Sequence, residues 1–270
     1  NKLVIDQTLP SINYVSYKSD FTDTTLATVG HEIILTLKTD ELIQPPLVTI
    51  AGQIATVSDM GVGKWVATYA MQNGDSDGVI PFEVQGILDL SGNPNSGTTA
   101  TTDGSIVTFD NTKPELDIVR IASNNQDSTW AKVGDMISIN FIANELLISQ
   151  SANLNGQSMI ISDLGSEKYL AQYEMTDLDT DGQLSFEIFI TDSVGLVSDP
   201  IITTSNSSQV IFDKTLPILN QVNIQSNNQN NSSIAITGDN VTLTFIPDEP
   251  LLADSITVTI ANEEVTICLL

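Results

Sequence analysis

Three stretches of the chain alternate apolar and other positions in the same way. Ile33, Leu35 and Leu37 are separated by Ile34 and Thr36. Ile137, Ile139 and Phe141 are separated by Ser138 and Asn140, and Val241, Leu243 and Phe245 by Thr242 and Thr244. A period of two predicts strands with one buried face. Trp65, Ala67, Tyr69 and Met71 keep this period, as do Phe82 and Val84, and so do Tyr169, Ala171, Tyr173 and Met175 with Phe186 and Ile188. No stretch carries an apolar i, i+3, i+4 pattern long enough for a helix. Short β-branched strands punctuated by Gly, Asn, Asp and Pro predict an all-β chain built of sandwiches.

The pattern recurs because the sequence repeats. Asp6-Gln7-Thr8-Leu9-Pro10 returns as Asp110-Asn111-Thr112-Lys113-Pro114 and as Asp213-Lys214-Thr215-Leu216-Pro217, in steps of 104 and 103 residues. Ala27-Thr28-Val29-Gly30 returns as Ala131-Lys132-Val133-Gly134 and as Ala235-Ile236-Thr237-Gly238. The reading is therefore a tandem array. Residues 1–5 are the tail of a preceding unit's last strand, 6–109 and 110–212 are two complete units, and 213–270 is an incomplete third. The first unit is expected to hold strands near 11–17, 31–38, 47–50, 53–58, 64–71, 79–87 and 98–108. Seven strands in about 100 residues is the count of an immunoglobulin-like sandwich. The third unit stops before any counterpart of the Trp65 or Phe82 strands and is expected to be poorly closed. Short linkers with Pro10, Pro114 and Pro217, each fixing φ, favour an elongated, semi-rigid rod.

The motifs resemble those of bacterial immunoglobulin-like, cadherin-like tandem repeats in large secreted or surface adhesin-type proteins. The resemblance is carried by the Asp-x-Thr-x-Pro opening, Val133-Gly134-Asp135 before the second strand, and Asn144-Glu145-Leu146 after it. It is also carried by Asp89-Leu90-Ser91-Gly92-Asn93 and the Phe82-Glu83-Val84 strand. It implies a spacer or adhesive role outside the cell, at the cell surface, with calcium at the junctions between repeats. The second repeat departs from the pattern at Asp192-Ser193-Val194-Gly195, which lacks the asparagine.

Charge narrows the range of partners. Lys and Arg number 9 against 34 Asp and Glu, a net charge of −25. Such a surface repels nucleic acid and anionic lipid and attracts cations. No apolar run reaches the ~18–20 residues of a membrane helix, so direct membrane insertion is not expected. The single cysteine, Cys268, allows no internal disulfide. With one histidine, His31, which the repeat replaces by Asp135 and Asp239, Cys/His zinc sites and Ser-His-Asp or Cys-His nucleophiles are excluded within the chain. His31 reads as a solvated turn residue, and no catalytic residue is expected. Trp65 and Trp130 read as core residues rather than sugar platforms.

The acidic turns are the candidate chemistry. In a sandwich traversed alternately, Asp75 and Asp77 sit in the turn where the chain leaves the first unit. Glu145 and Asp192 sit where it enters the second, beside Asp110. A junction of Asp75, Asp77, Asp110, Glu145 and Asp192 is expected, followed by one of Asp179, Asp181, Asp213 and Glu249. Carboxylates drawn together repel unless a cation neutralises them, and oxygen ligands suit calcium. The competing reading is that Asp-x-Asp-Gly is simply a tight turn in which Asp binds backbone amides. Three functional classes follow. One is a structural or adhesive spacer whose partners are its own neighbouring repeats. The second is a module gripping a glycan or protein on a host or partner cell. The third is an accessory region of a secreted hydrolase.

Overall fold

The computed structural model describes residues 5–251 and 256–268. Among them there is no helix, and so none long and apolar enough to cross a membrane. The sequence readings for residues 1–4, and for 252–255 and 269–270 of the third unit, fall outside the described residues.

Up to residue 109 the strands are β1 (Ile12–Ser19), β2 (Leu26–Ala27), β3 (Glu32–Thr39), β4 (Leu47–Ile50), β5 (Gln53–Ile54), β6 (Thr56–Asp59) and β7 (Lys64–Ala70). They continue with β8 (Gly78–Val79), β9 (Phe82–Gln85), β10 (Ile87–Leu88), β11 (Pro94–Asn95) and β12 (Thr108–Phe109). One sheet has the order β1-β3-β7-β6 and the other β5-β4-β9. This is the immunoglobulin arrangement, with the first, second, fifth and fourth main strands in one sheet and the third and sixth in the other. Alternation makes the two sheets face each other. Val15, Leu35 and Ala67 from the first meet Val48, Ile50 and Val84 from the second in one cluster, all 2% exposed or less. Each such aliphatic side chain larger than alanine contributes roughly 1.5–3 kcal/mol by leaving water.

The second segment repeats the plan. Its strands are β13 (Leu116–Ser123), β14 (Trp130–Ala131), β15 (Met136–Ala143), β16 (Leu147–Leu154) and β17 (Gln157–Ser158). Next come β18 (Ile160–Gly165), β19 (Lys168–Glu174), β20 (Gly182–Gln183), β21 (Phe186–Asp192) and β22 (Ile211–Phe212). Orders β13-β15-β19-β18 and β17-β16-β21 match those of the first segment. Its buried cluster runs from Val119 to Phe212 and shares no residue with the first. Both segments close alike. The last strand, β12 or β22, pairs in parallel with β2 or β14, and antiparallel with β8 or β20. The turn before the second main strand needs glycine: Gly30, Gly134 and Gly238 have φ of +88°, +87° and +97°.

In the last segment β23 (Leu219–Ser226) pairs with β24 (Val241–Pro247), and β25 (Thr259–Ile260) with β26 (Glu263–Glu264). Val222 and Ile224 are 56% and 59% exposed, whereas the matching Val119 and Ile121 are 2% and 4% exposed.

Three expected strands differ. The run 53–58 divides at Ala55 between two sheets, because β5 pairs with β4 while β6 pairs with β7. The run 79–87 breaks at Ile80-Pro81, where proline offers no N–H, and at Gly86, whose φ is +63°. Of 98–108, only Thr108 belongs to a strand, joined by an isolated bridge from Thr98 to Val84.

Candidate metal centres at the carboxylate clusters

The linker places its aspartate by a local rule. The Asp110 side chain turns back on the chain, and its Oδ1 accepts the Thr112 amide at 3.0 Å. Asp6 does the same with the Thr8 amide at 3.0 Å, and Asp213 with that of Thr215 at 2.9 Å. This is the Asx turn that Asp-x-Thr encodes. The Asp110 amide donates to Ala27 O at 2.9 Å, tying the linker to the first segment. Beyond the proline, Glu115 N donates to Asn144 Oδ1 at 3.0 Å while Asn144 N donates to Glu115 O at 3.1 Å. That reciprocal pair holds the next residue, Glu145, beside the linker. Ser11 with Asp40, and Ile218 with Asp248, repeat it.

Asp110, Glu145 and Asp192 consequently converge, each with a carboxylate oxygen within 4.8 Å of the others. Asp192 is fully buried. Its Oδ1 accepts the amides of Val194 and Leu196, both at 2.9 Å, and its Oδ2 has no hydrogen-bond partner. Burial raises the pKa of Asp192 against the pull of those two amides, and the charge of Asp110 raises it further. Burial and the charges of Asp110 and Asp192 also lift Glu145 above the usual carboxylate range. Two half-buried acids beside a buried one with an unmatched oxygen are a donor set that a hard divalent cation takes.

The other residues expected at this junction do not join the triad. Asp75 turns into its own hairpin, where it accepts the Gln72 amide at 2.7 Å and the Tyr69 hydroxyl at 3.1 Å. Asp77 accepts the Asn111 amide at 2.8 Å and the Thr112 hydroxyl. It clasps the backbone of the linker. Asp179 and Asp181 repeat both roles. Asp179 takes the Thr176 amide at 2.7 Å and the Tyr173 hydroxyl at 3.1 Å. Asp181 takes the Lys214 amide at 2.8 Å and the Thr215 hydroxyl at 2.7 Å, and these bonds lower its pKa. Glu249 does lie beside Asp213. Burial and then the charge and hydrogen bond of Asp213 raise its pKa.

A cluster that the sequence reading passed over lies at the start of the chain. Asp6, Glu41 and Asp89 converge within the same 4.8 Å limit. They precede Asp110, Glu145 and Asp192 by 104, 104 and 103 residues, so the repeat itself would have found them. Burial and the charges of Asp89, Asp6 and Asp40 raise Glu41. At Asp89 burial pushes upward but hydrogen bonds from Asn93 and the neighbouring amides outweigh it, and the pKa falls.

Elsewhere the candidates divide. Trp65 is 7% exposed and belongs to the first core. Trp130, expected in the core, is 45% exposed. On the short strand β14 its neighbour Ala131 takes the inward position at 3%, which turns the tryptophan outward. His31 is half-buried, edge-on to Phe21 with ring centroids 4.9 Å apart. Cys268 is free and exposed.

No protein-family model matches the chain, and no curated protein matches it. Solved structures that it is similar to include a Ca2+-stabilised adhesin with which an Antarctic bacterium binds ice (15% identity, 80% of this chain and 52% of that one, TM-score 0.44). They also include a bacterial 1.5-MDa ice-binding adhesin (15% identity, 74% of this chain and 65% of that one, TM-score 0.45). A third is the two immunoglobulin domains of DIP-gamma (12% identity, 77% of this chain and 98% of that one, TM-score 0.33). The chain thus spans 52% and 65% of the length of the two adhesin structures. Its structural neighbours include immunoglobulin-like domains of bacterial adhesins and of other proteins, while the fold assignment stands on the strand order.

Proposed function

We propose that the chain is a non-catalytic structural or adhesive segment of an extracellular repeat protein, stiffened by calcium where one sandwich hands over to the next. The units are residues 6–109, 110–212 and an incomplete 213–270, each partnering its neighbours along a rod. The observation that carries the reading is the Asp110–Glu145–Asp192 triad, in which a buried Asp192 oxygen has no partner. One ligand comes from the linker and two from the following sandwich, so an ion held there restricts how the linker swings. Three carboxylates exceed what one divalent charge neutralises, and calcium's flexible shell of 6–8 oxygens leaves room for water. The surface location is supported by the resemblance of the motifs to those of surface adhesins and by the acidity of the chain.

Isothermal titration of the EDTA-stripped chain with calcium tests the site. Saturable heat that Glu145→Gln diminishes is expected, and its absence removes calcium from the account. Small-angle scattering of the same chain with calcium tests the rod: an extended distance distribution is expected, and a compact one contradicts it. A second reading, a module gripping a cell-surface glycan or protein, draws on the exposed Trp130. A glycan array probed with the wild-type chain and with Trp130→Ala separates it from the first.

A further inference from the structure

The two complete triads share one backbone. In the first, Asp89 N donates to Asn93 O at 3.1 Å and Gly92 N to Asp89 O at 3.2 Å. In the second, Asp192 N donates to Leu196 O at 3.1 Å and Gly195 N to Asp192 O at 3.2 Å. With loops so alike, two loop side chains change the hydrogen bonds that the triads receive, while Asp40 adds a charge beside Glu41 where the second segment has Asn144. Asn93 occupies the place of Leu196, and Ser91 that of Val194.

Those side chains change what the carboxylates face. Asn93 Nδ2 donates to Asp89 Oδ2 at 2.7 Å and lies 3.4 Å from Asp6 O, and the Ser91 hydroxyl donates to Asp6 Oδ2 at 3.2 Å. Neutral donors therefore already satisfy Asp89 and Asp6, and the first triad's buried unmatched oxygen is Glu41 Oε1 rather than one on its third carboxylate. The side chains of Leu196 and Val194 offer the second triad no donor beyond their backbone amides. Val194 is 5% exposed and closes the loop with hydrocarbon, and Asp192 Oδ2 is left buried and unmatched. An oxygen bound to a donor must give it up before it can ligate a cation, whereas a bare buried oxygen gives up nothing and gains its missing partner.

We propose that the residue four places after the third carboxylate grades the two triads. Leu196 makes Asp110–Glu145–Asp192 the high-affinity cation site, and Asn93 makes Asp6–Glu41–Asp89 a weaker one that fills at higher cation concentration. This rests on the cation reading above and adds an order of filling to it: as calcium rises, the junction at Asp110 locks before the linker at Asp6.

Calorimetric titration of the EDTA-stripped 270-residue chain with calcium chloride tests the order. Two classes of site are expected, with Glu145→Gln removing the tighter class and Glu41→Gln the weaker. Leu196→Asn is expected to weaken the tighter class about tenfold, the scale of one charge-assisted hydrogen bond that must be broken. Asn93→Leu is expected to tighten the weaker class by a similar factor, and this reciprocal substitution decides the matter should the first variant fold poorly. If Glu41→Gln removes the tighter class, or Leu196→Asn tightens binding because its amide turns an oxygen to the ion, the grading is overturned while the cation reading stands. No calcium heat from the wild-type chain overturns both.

Discussion

Thr215 donates its hydroxyl to Asp181 Oδ2 at 2.7 Å, across 34 residues of sequence. Thr112 and Asp77 make the same bond one repeat earlier. The threonine is the one whose amide already binds the linker aspartate, so it belongs to two hydrogen bonds at once. Each linker is therefore clasped by the turn it leaves and faces the carboxylates of the sandwich it enters. The clasp needs no metal. Asp77→Ala is expected to raise the rate of limited proteolysis at residues 110–113 several-fold, with or without calcium. An unchanged rate would show that the clasp does not hold the linker.

The triad gives a pH signature. Burial and neighbouring charge raise the folded-state pKa of Glu145 and Asp192, so the folded chain binds protons more tightly than the unfolded chain at these positions. Their contribution to stability is present below the ordinary carboxylate pKa and is lost as pH rises through the raised folded value. Without calcium, the stability advantage of Glu145→Gln over wild type should thus grow between about pH 4 and 7. Melting curves of both proteins across that range, in EDTA, check the sign. An advantage that shrinks as pH rises would contradict it.

Tyr17 is 3% exposed, and its hydroxyl has no partner; burial alone pushes its pKa far up. The matching position of the second segment is Ile121. Tyr17→Phe removes an unmatched polar group and keeps the ring, which lies 5.1 Å from that of Phe82. A gain of about 1 kcal/mol is expected, or roughly 4–8 °C for a domain of this size. Calorimetric melting would show it, and a lower transition would mean the hydroxyl has a partner.

Gly97 is the tightest glycine. Its φ is +80°, and an added Cβ would come within 2.0 Å of Val84 O, on the strand that Thr98 bridges. Gly97→Ala should cost about 2–5 kcal/mol in the first segment through left-handed strain and overpacking together. Gly104→Ala meets no atom within 4 Å at φ +74° and should cost only the strain, roughly 1–2 kcal/mol. Denaturant melts of the two variants compare them directly.

Alternation in the sequence carried the sheets, because a half-buried strand writes its face into every second residue. Strand breaks were less legible, since Pro81 and Gly86 act on backbone hydrogen bonding and leave the apolar period intact. Chain ends and turns were enough to bring Asp110, Glu145 and Asp192 to one place. They could not separate Asp75 from that group, because Tyr69, six residues back on β7, competes for the carboxylate through a hydrogen bond that the alternation of the strand does not reveal. The Asp6–Glu41–Asp89 cluster was legible by alignment to its copy. Trp130 was misplaced because a two-residue strand is too short to display a period.

Calorimetric melting of the wild-type chain and of Glu145→Gln, each in EDTA and in millimolar calcium, tests the occupied junction most directly. Calcium at about a hundred times its dissociation constant should stabilise the wild type by roughly 2.7 kcal/mol, and Glu145→Gln should lose most of that gain. Wild-type transitions that coincide in EDTA and calcium would contradict the account.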